Sequence, residues 1–343
     1  MKSNIKDIAK SLDVSIATVS KALNNKPGVS HEMRLKVLKK AEELGYVVNS
    51  LARGMKISRT FTIGVLISDI KNPYFSEVIS SMERVLYAKK YNLIICNVGE
   101  SSVKEREYLE LLVSKKVDGI IAAPSAERKN LSIYRNLIRH GMKITLFDRL
   151  IESIEVDSVV VDNKAATYEA VRYLSNLGHK KIGAIYGIEK SYTGSERLKG
   201  FMEAVKDFKV ECRPEWLQNG EFSEEKSHER ALDILKQKNR PTALIAMNNF
   251  MTLGIMRAIK DLKLKVPQDI SIIGFDNAEW MKVCSPTVTT VAQPTEAIGM
   301  TAATLLLDAI ESETPRAPHH FVLKTSLLKR ESVASLKKER ATP

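Results

Sequence analysis

Ser15, Ile16, Ala17, Thr18, Ser20, Lys21 and Asn24 fall within ten consecutive residues, SIATVSKALN. On a helix, positions 16, 17, 20, 21 and 24 share one face and 18 flanks it, while Val19, Ala22 and Leu23 turn to the other side. The outer face mixes small apolar groups, hydroxyls, an amide and an ammonium. That mixture suits thymine methyls, phosphate oxygens and guanine edges, which is the chemistry of DNA readout. An ordinary helical hairpin with a solvated Lys21 is the competing reading; caps, turn and surface chemistry together favour DNA. A second polar set stands after apolar runs: Asp69 through Phe75, Asp148-Arg149, Asn248-Asn249 and Asp276-Asn277. In open α/β sheets, ligands sit beyond the carboxyl ends of the strands, so these four ends point to one binding cleft.

No pattern for catalysis accompanies them. The chain has no GxSxG, Walker or GxGxxG sequence, and Gly194-Ser195-Glu196-Arg197 has a serine with no matching base. Cys96, Cys212 and Cys284 lie far apart without CxxC or zinc spacing, so buried thiols are expected. The six His form no metal set, and the His319-His320 pair beside Pro318 reads as surface. We therefore expect no metal, no cofactor and no enzyme activity.

Three short helices must position the first set. Asn4 can cap a helix carrying Ile5, Ile8, Ala9 and Leu12 at helical spacing, and Asp13-Val14-Ser15 forms the turn. The Ser15 hydroxyl can cap the second helix. After a turn at Asn25–Gly28, Ser30 caps a third, with Val37, Leu38, Ala41 and Leu44 inward and Gly45 stopping it. This predicts an all-α helix-turn-helix head over residues 1–48. NSLARGMK follows, and residues 49–60 read either as a plain linker or as a hinge that becomes helical only on binding, because Gly54 costs a helix roughly 1 kcal/mol.

From Phe61, apolar strands alternate with helical stretches: FTIGVLI, YNLIICNV, DGIIAAP, KITLFD and SVVVDN, then KIGAIYG, TALIAMN and SIIGFD. Continuous apolar strands between helices indicate parallel sheets covered on both faces. Two such series predict a core of two doubly wound parallel-sheet α/β lobes over 61–330. The expected lobe N covers about 61–161 and 292–321, and lobe C about 162–291 and 322–330. TTVAQP and FVLKTSLLKR read as strands returning between lobes, and 331–343 as a frayed basic tail.

The chain has 343 residues, 44% hydrophobic, and a net charge of +12. Residues 1–60 hold 12 Lys and Arg against 5 Asp and Glu, so most of the excess sits on the head. A basic head on a near-neutral body is the footprint of a nucleic-acid-binding module. No apolar run is long enough to cross a membrane and the start is not a signal peptide, so a cytoplasmic protein is expected. The same features argue against a transport-type solute-binding protein.

The motifs IKDIAKSLDVSIATVSKALNN, ELGYVVNSLARGMK and TIGVLISDIKNPYF stand in that order, followed by VDGIIAAP, FDRL, GHKKIGAIYG, TGSERLKGF, RPTALIAMNN and VPQDISIIGFDN. Along nearly its whole length the chain resembles the lactose-repressor (LacI/GalR) family of bacterial transcription regulators. The family's core lobes are like those of sugar-binding periplasmic proteins. The resemblance implies a homodimer reading a palindromic double-stranded DNA operator, with Ile16, Ala17 and Lys21 at base-reading positions and Thr18, Ser20 and Asn24 on phosphates. It makes NSLARGMK the hinge helix that enters the minor groove, with Met55 at the usual leucine wedge and Leu51 and Ala52 beside it. In the core it implies a small effector between the lobes. Arg197 and Asp276 would hold adjacent sugar hydroxyls, Phe75 and Phe222 would stack on a ring, and Asp148, Thr193 and Asn248 would complete the rim. Ser191 stands where the family's purine repressor has Arg, and Asn249 where Asp is common. A sugar or sugar derivative is the favoured effector. A phosphoprotein partner, as in one subset of the family, is the alternative.

Overall fold

The computed structural model describes residues 4–46, 59–127, 129–312 and 314–337. The expected hinge residues Leu51, Ala52 and Met55 lie outside the described residues. The chain divides into two compact units, one up to Thr60 and one from Phe61 onward.

In the first unit, α1 (Ile5–Ser11) opens with a capping box. The Asn4 side chain accepts from the Lys6 and Asp7 amides, and the Asp7 carboxylate accepts from the Asn4 amide. α2 (Ile16–Leu23) starts at Ser15, whose hydroxyl accepts the Thr18 amide at 3.0 Å. α3 (His31–Glu43) starts at Ser30 and ends before Gly45, whose φ of +60° is the left-handed geometry that a helix stop requires. Ile8, Val19, Ala22, Val37 and Ala41 form the buried centre. Leu38, expected inside, is 46% exposed. Positions 37, 41 and 44 align on one face of α3, and 38 is rotated about 100° away from 37.

The second unit contains both lobes. Lobe N runs β1 (Thr62–Ile67), α4 (Pro73–Ala88), β2 (Asn92–Asn97), α5 (Ser102–Ser114), β3 (Gly119–Ala122), α6 (Leu131–Arg139), β4 (Lys143–Phe147) and β5 (Asp157–Val161). Lobe C runs α7 (Asn163–Asn176), β6 (Ile182–Tyr186), α8 (Tyr192–Asp207), β7 (Leu217–Asn219), α9 (Glu224–Leu235), β8 (Ala243–Ala246), α10 (Asn249–Asp261), β9 (Ser271–Phe275), α11 (Trp280–Val283) and β10 (Thr289–Ala292). The chain returns to lobe N for α12 (Thr295–Glu311) and β11 (His320–Leu323), then ends in lobe C with β12 (Ser326–Leu328).

The two sheets repeat one order: β11-β5-β4-β3-β1-β2 and β12-β10-β9-β8-β6-β7. Their central strands are buried along their whole length, as expected of sheets with helices on both faces. Burying each large aliphatic side chain, such as Ile63 or Ile272, contributes about 1.5–3 kcal/mol. Lobe C packs around Trp216, Phe201 and Phe275, and lobe N buries one cluster on each side of its sheet.

The strands of both sheets aim their carboxyl ends at the space between the lobes. A straight crossing therefore runs with one sheet and against the other: β11 is parallel to β5, and β12 is antiparallel to β10. β11 stays paired with β5 through Leu323, so this crossing lies at 324–325 rather than at the expected 321–322. The tail also departs from expectation over its described part. The Ile272 amide donates to the Ser332 carbonyl (2.8 Å), the Ala334 amide to Ser271 Oγ (3.0 Å) and the Leu336 amide to the Leu177 carbonyl (2.8 Å). Residues 332–336 are thus fastened to lobe C by backbone bonds that composition does not reveal.

Candidate functional site

On the head, Ser15, Ile16, Ala17 and Lys21 are exposed and Thr18, Ser20 and Asn24 are half-buried, so the expected reading face does point outward. Thr18 is tied to Ser15 by its amide and by a 2.9 Å contact between the two hydroxyls. The Asn24 amide group donates one hydrogen to the Ser20 carbonyl at 2.7 Å, which orients the side chain and leaves its second N–H for a phosphate. Sequence reasoning missed Arg34. From α3 it donates to the Lys26 carbonyl (3.0 Å) and to the Asn25 side chain, clamping the turn that leaves α2.

Between the lobes lies a cavity of about 460 Å³. All seven expected effector residues line it: Phe75, Asp148, Thr193, Arg197, Phe222, Asn248 and Asp276. Phe75, in the first turn of α4, packs edge-on against Tyr74 (5.1 Å) and Phe147 (6.1 Å). Phe222 approaches from lobe C across Gly187, where a Cβ would stand 1.9 Å from the ring. Only glycine seats that aromatic.

Asp148 directly follows β4, and Asp276 directly follows β9, the equivalent strand of the other lobe. Both adopt left-handed backbone, φ 61° and 68°, which turns the chain sharply and leaves each buried carboxylate facing the cleft. Asp276 is held by the Gln293 side-chain amide at 2.7 Å and the Asn249 amide at 3.2 Å. Asp148 has the Arg149 Nε 3.4 Å away, short of a hydrogen bond, and the Tyr74 hydroxyl close by without an aligned bond. Burial raises the pKa of both acids, against the pull of Arg197 on each and of Arg149 on Asp148.

Arg197 lies in α8 with its guanidinium 3.8 Å from the Phe275 ring centre. Its Nε donates to Asn163 Oδ1 (2.7 Å) and its Nη1 to the Met247 carbonyl (2.6 Å), so Nη2 and the second Nη1 hydrogen are left for a ligand. Burial lowers its pKa, opposed by Asp276 and Asp148. Arg149 donates through both Nη atoms to Glu100 (2.7 and 2.6 Å). Burial would raise the pKa of Glu100, but the Arg149 charge and the hydrogen bonds the carboxylate accepts, from Arg149 and the Ala126 amide among others, together outweigh it and hold the carboxylate below its usual range.

Asn248 caps α10 by accepting the Met251 amide at 2.7 Å, which leaves its NH₂ group for the cavity. Ser191 caps α8, accepting the Gly194 amide (2.9 Å) and donating to the Ile188 carbonyl (2.7 Å), and does not line the cleft. Ser68 Oγ, Tyr74 Oη, Arg149 Nε and Gln293 Oε1 all line it, buried and without a hydrogen-bond partner. Buried polar atoms are almost always paired, so such a concentration marks a place for a ligand or ordered water. A bond also ties the lobes across the cleft: Asn249 Nδ2 donates to Asn72 Oδ1 at 2.8 Å, while the same oxygen caps α4 through the Tyr74 amide.

Glu100, Asn163 and Gln293 were not legible as site residues. Each acts by holding a cleft residue that is 49, 34 or 17 positions away in the chain. The cysteines take no part in the cleft. Cys96 is buried and the other two half-buried, and burial raises the Cys96 and Cys212 thiols to about 11. Among the described residues, no group of three or more His, Cys, Asp or Glu could hold a metal ion.

Residues 4–49 match bacterial regulatory proteins of the lacI family, and residues 171–333 match periplasmic binding protein-like domains. The chain is 36% identical over 330 residues to the HTH-type transcriptional repressor PurR of Pectobacterium carotovorum subsp. carotovorum (strain PC1), covering 96% of each protein. Among solved structures, a LacI family transcriptional regulator from Enterococcus faecium with bound ribose is 31% identical, with TM-score 0.72, over 80% of this chain and 100% of that one. The lac repressor dimer bound to operator and the anti-inducer ONPF shares the fold at TM-score 0.84 and 24% identity, over 97% of this chain and 100% of that one.

Proposed function

The chain belongs to the LacI family of bacterial regulatory proteins and is a DNA-binding repressor of that family; from this premise we propose that a sugar or sugar derivative bound in the inter-lobe cleft controls its affinity for a palindromic operator. The observation that carries the reading is the convergence of Arg197, Asp276, Asn248 and Asp148 with two aromatic rings on one cavity. Paired donors and acceptors at the edge of a ring, with an aromatic face beside it, are what a pyranose or furanose offers hydrogen bonds and packing to. The protein acts as a homodimer, so that two heads meet two half-sites. In each head, Ile16, Ala17 and Lys21 read bases while Ser15, Thr18, Ser20 and Asn24 hold backbone. Met55, flanked by Leu51 and Ala52, enters the minor groove. Since both lobes line the cleft, a ligand that fits one inter-lobe angle better than another shifts the populations of the two. The cleft binds and does not turn over its ligand, in keeping with relatives named as transcriptional repressors.

A nucleobase effector is the second reading, favoured by the 36% identity to PurR repressors. Against it stands Ser191, whose hydroxyl is fully used as a helix cap and is absent from the cavity lining.

Thermal unfolding against a panel of sugars and nucleobases separates the two. A ligand at a hundred times its Kd stabilises the core by about 2.7 kcal/mol. A shift with a sugar supports the first reading. A shift with a nucleobase alone replaces it with the second.

A further inference from the structure

We propose that the end of lobe C opposite the cleft is a second DNA-binding surface, which holds duplex phosphates without reading bases.

The strands of lobe C aim their carboxyl ends at the cleft, so the loops that feed them gather at the other end. β7, β6, β8 and β9 are adjacent in the sheet, and they are entered from α8, α7, α9 and α10 respectively. Backbone bonds join these loops into one platform. The Glu211 amide donates to the Lys180 carbonyl (2.8 Å), the Thr242 amide to the Lys181 carbonyl (2.9 Å) and the Ser271 amide to the Thr242 carbonyl (3.0 Å). Counted from the last turn of each helix, the four loops are residues 173–181, 204–216, 232–242 and 258–270. They hold eleven Lys and Arg against six Asp and Glu. That excess of five equals the net charge of all residues from 61 to 343, so the rest of the core sums to zero.

Lysines at helix C-termini offset the macrodipole, but this accounts for only part of the excess. Four helix ends carry about −0.5 charge each, roughly −2 in all. The acids are mostly engaged elsewhere. Glu211 and Glu215 face Arg213 (2.6 and 4.0 Å), Asp261 faces His228 (2.7 Å) and Asp207 accepts from Tyr168 (3.1 Å). Lys180, Lys209, Lys236, Lys238, Lys263 and Lys265 are exposed, and none forms an ion pair among the described residues. Four adjacent strands span about 14 Å, and duplex DNA of that length carries about eight phosphate charges. Lysine meets phosphate as a point charge and lacks the fork that reads a guanine edge. The four loops expose no large apolar side chain. Protein interfaces are built on apolar and aromatic anchors and are depleted in lysine, so DNA fits this surface better than an acidic protein does.

The test uses the full-length protein and a mixed-sequence duplex of about 20 base pairs at about 50 mM salt. Energy transfer between donor- and acceptor-labelled copies reads bridging, and anisotropy reads the binding of single copies. A chain that holds DNA at its head and at lobe C should bridge two copies, and bridging should fall steeply as salt rises. Lys209→Gln, Lys236→Gln, Lys238→Gln and Lys263→Gln together should lower bridging at least about 10-fold and leave single-copy binding through the head within about 3-fold. Arginine at the same four positions keeps the charge and should keep the bridging. A wild type that does not bridge overturns the proposal. So does bridging that the Gln variant leaves unchanged, which would assign it to two heads, or bridging that the Arg variant loses. A labelled oligoglutamate peptide that binds the four lysines while the duplex does not would give the surface to an acidic protein, and overturns the proposal as well.

Discussion

The two lobes share one strand order, yet they hold their equivalent aspartates differently. Asp276 in lobe C is clamped by Gln293 and the Asn249 amide, beside an Arg197 fixed at two of its nitrogens. Asp148 in lobe N has no aligned donor holding its carboxylate among the described residues: the Tyr74 hydroxyl lies close enough to lower its pKa without an aligned bond, Arg149 Nε stands 3.4 Å away, and Ser68 Oγ beside them is unpaired. Lobe C is the half of the site already assembled, and lobe N is the half that a ligand completes. Preorganised groups lose little freedom on binding, so lobe C should supply most of the affinity. The unpaired groups of lobe N gain partners only when the cleft is filled, so they should supply the signal.

That contrast can be broken in order of expected effect. Arg197→Ala leaves Asp276 without its buried counter-charge and frees Asn163 and the Met247 carbonyl. Calorimetry should show effector affinity falling by at least about 100-fold, and unfolding should show a loss near 3 kcal/mol. Asp276→Asn keeps an oxygen but loses the charge-assisted acceptor, and affinity should fall about 30-fold. Asp148→Asn should cost less, about 5-fold, because no protein donor is aligned on it. Equal losses at the two aspartates would contradict the division between the lobes.

The smallest effect concerns pH. His179 in lobe C is buried, with Nε2 donating to the Ala334 carbonyl (3.1 Å) and Nδ1 facing the Thr242 hydroxyl (2.9 Å). Burial lowers its pKa, and the Ala334 bond only partly offsets this. The unfolded chain therefore takes up the proton first, and stability is lost as pH falls below the ordinary histidine value of about 6.5 toward the folded one. Thermal scans at pH 7.5 and 5.5 should show that loss in the wild type, with a part of about 2 °C missing in His179→Gln. An identical pH difference in both proteins would remove His179 from this role.

Much of this architecture was legible because it is local. Caps at Asn4, Ser15 and Ser30 and the apolar strand runs announce themselves in short windows, and the residues at strand ends follow from the topology. Leu38 was misplaced because Val37 and Leu38 are both apolar, and only packing against α1 and α2 decides which one turns inward. Glu100 sits in an exposed-looking turn after β2, and its partner Arg149 is 49 residues away. Nothing in the spacing predicts that pair. The fastening of residues 332–336 is likewise a matter of long-range backbone bonds made by a segment that looks basic and unpatterned.

The central claim is that occupation of the cleft controls the head. Its most direct test is operator affinity by fluorescence anisotropy at fixed salt, with and without the sugar that thermal unfolding selects, in wild type and Arg197→Ala. The account predicts at least a 10-fold change in Kd for the wild type and none for the variant, whose ligand-free affinity stays within about 3-fold of wild type. A wild-type affinity indifferent to a ligand that demonstrably binds, or an equal response in Arg197→Ala, would contradict it.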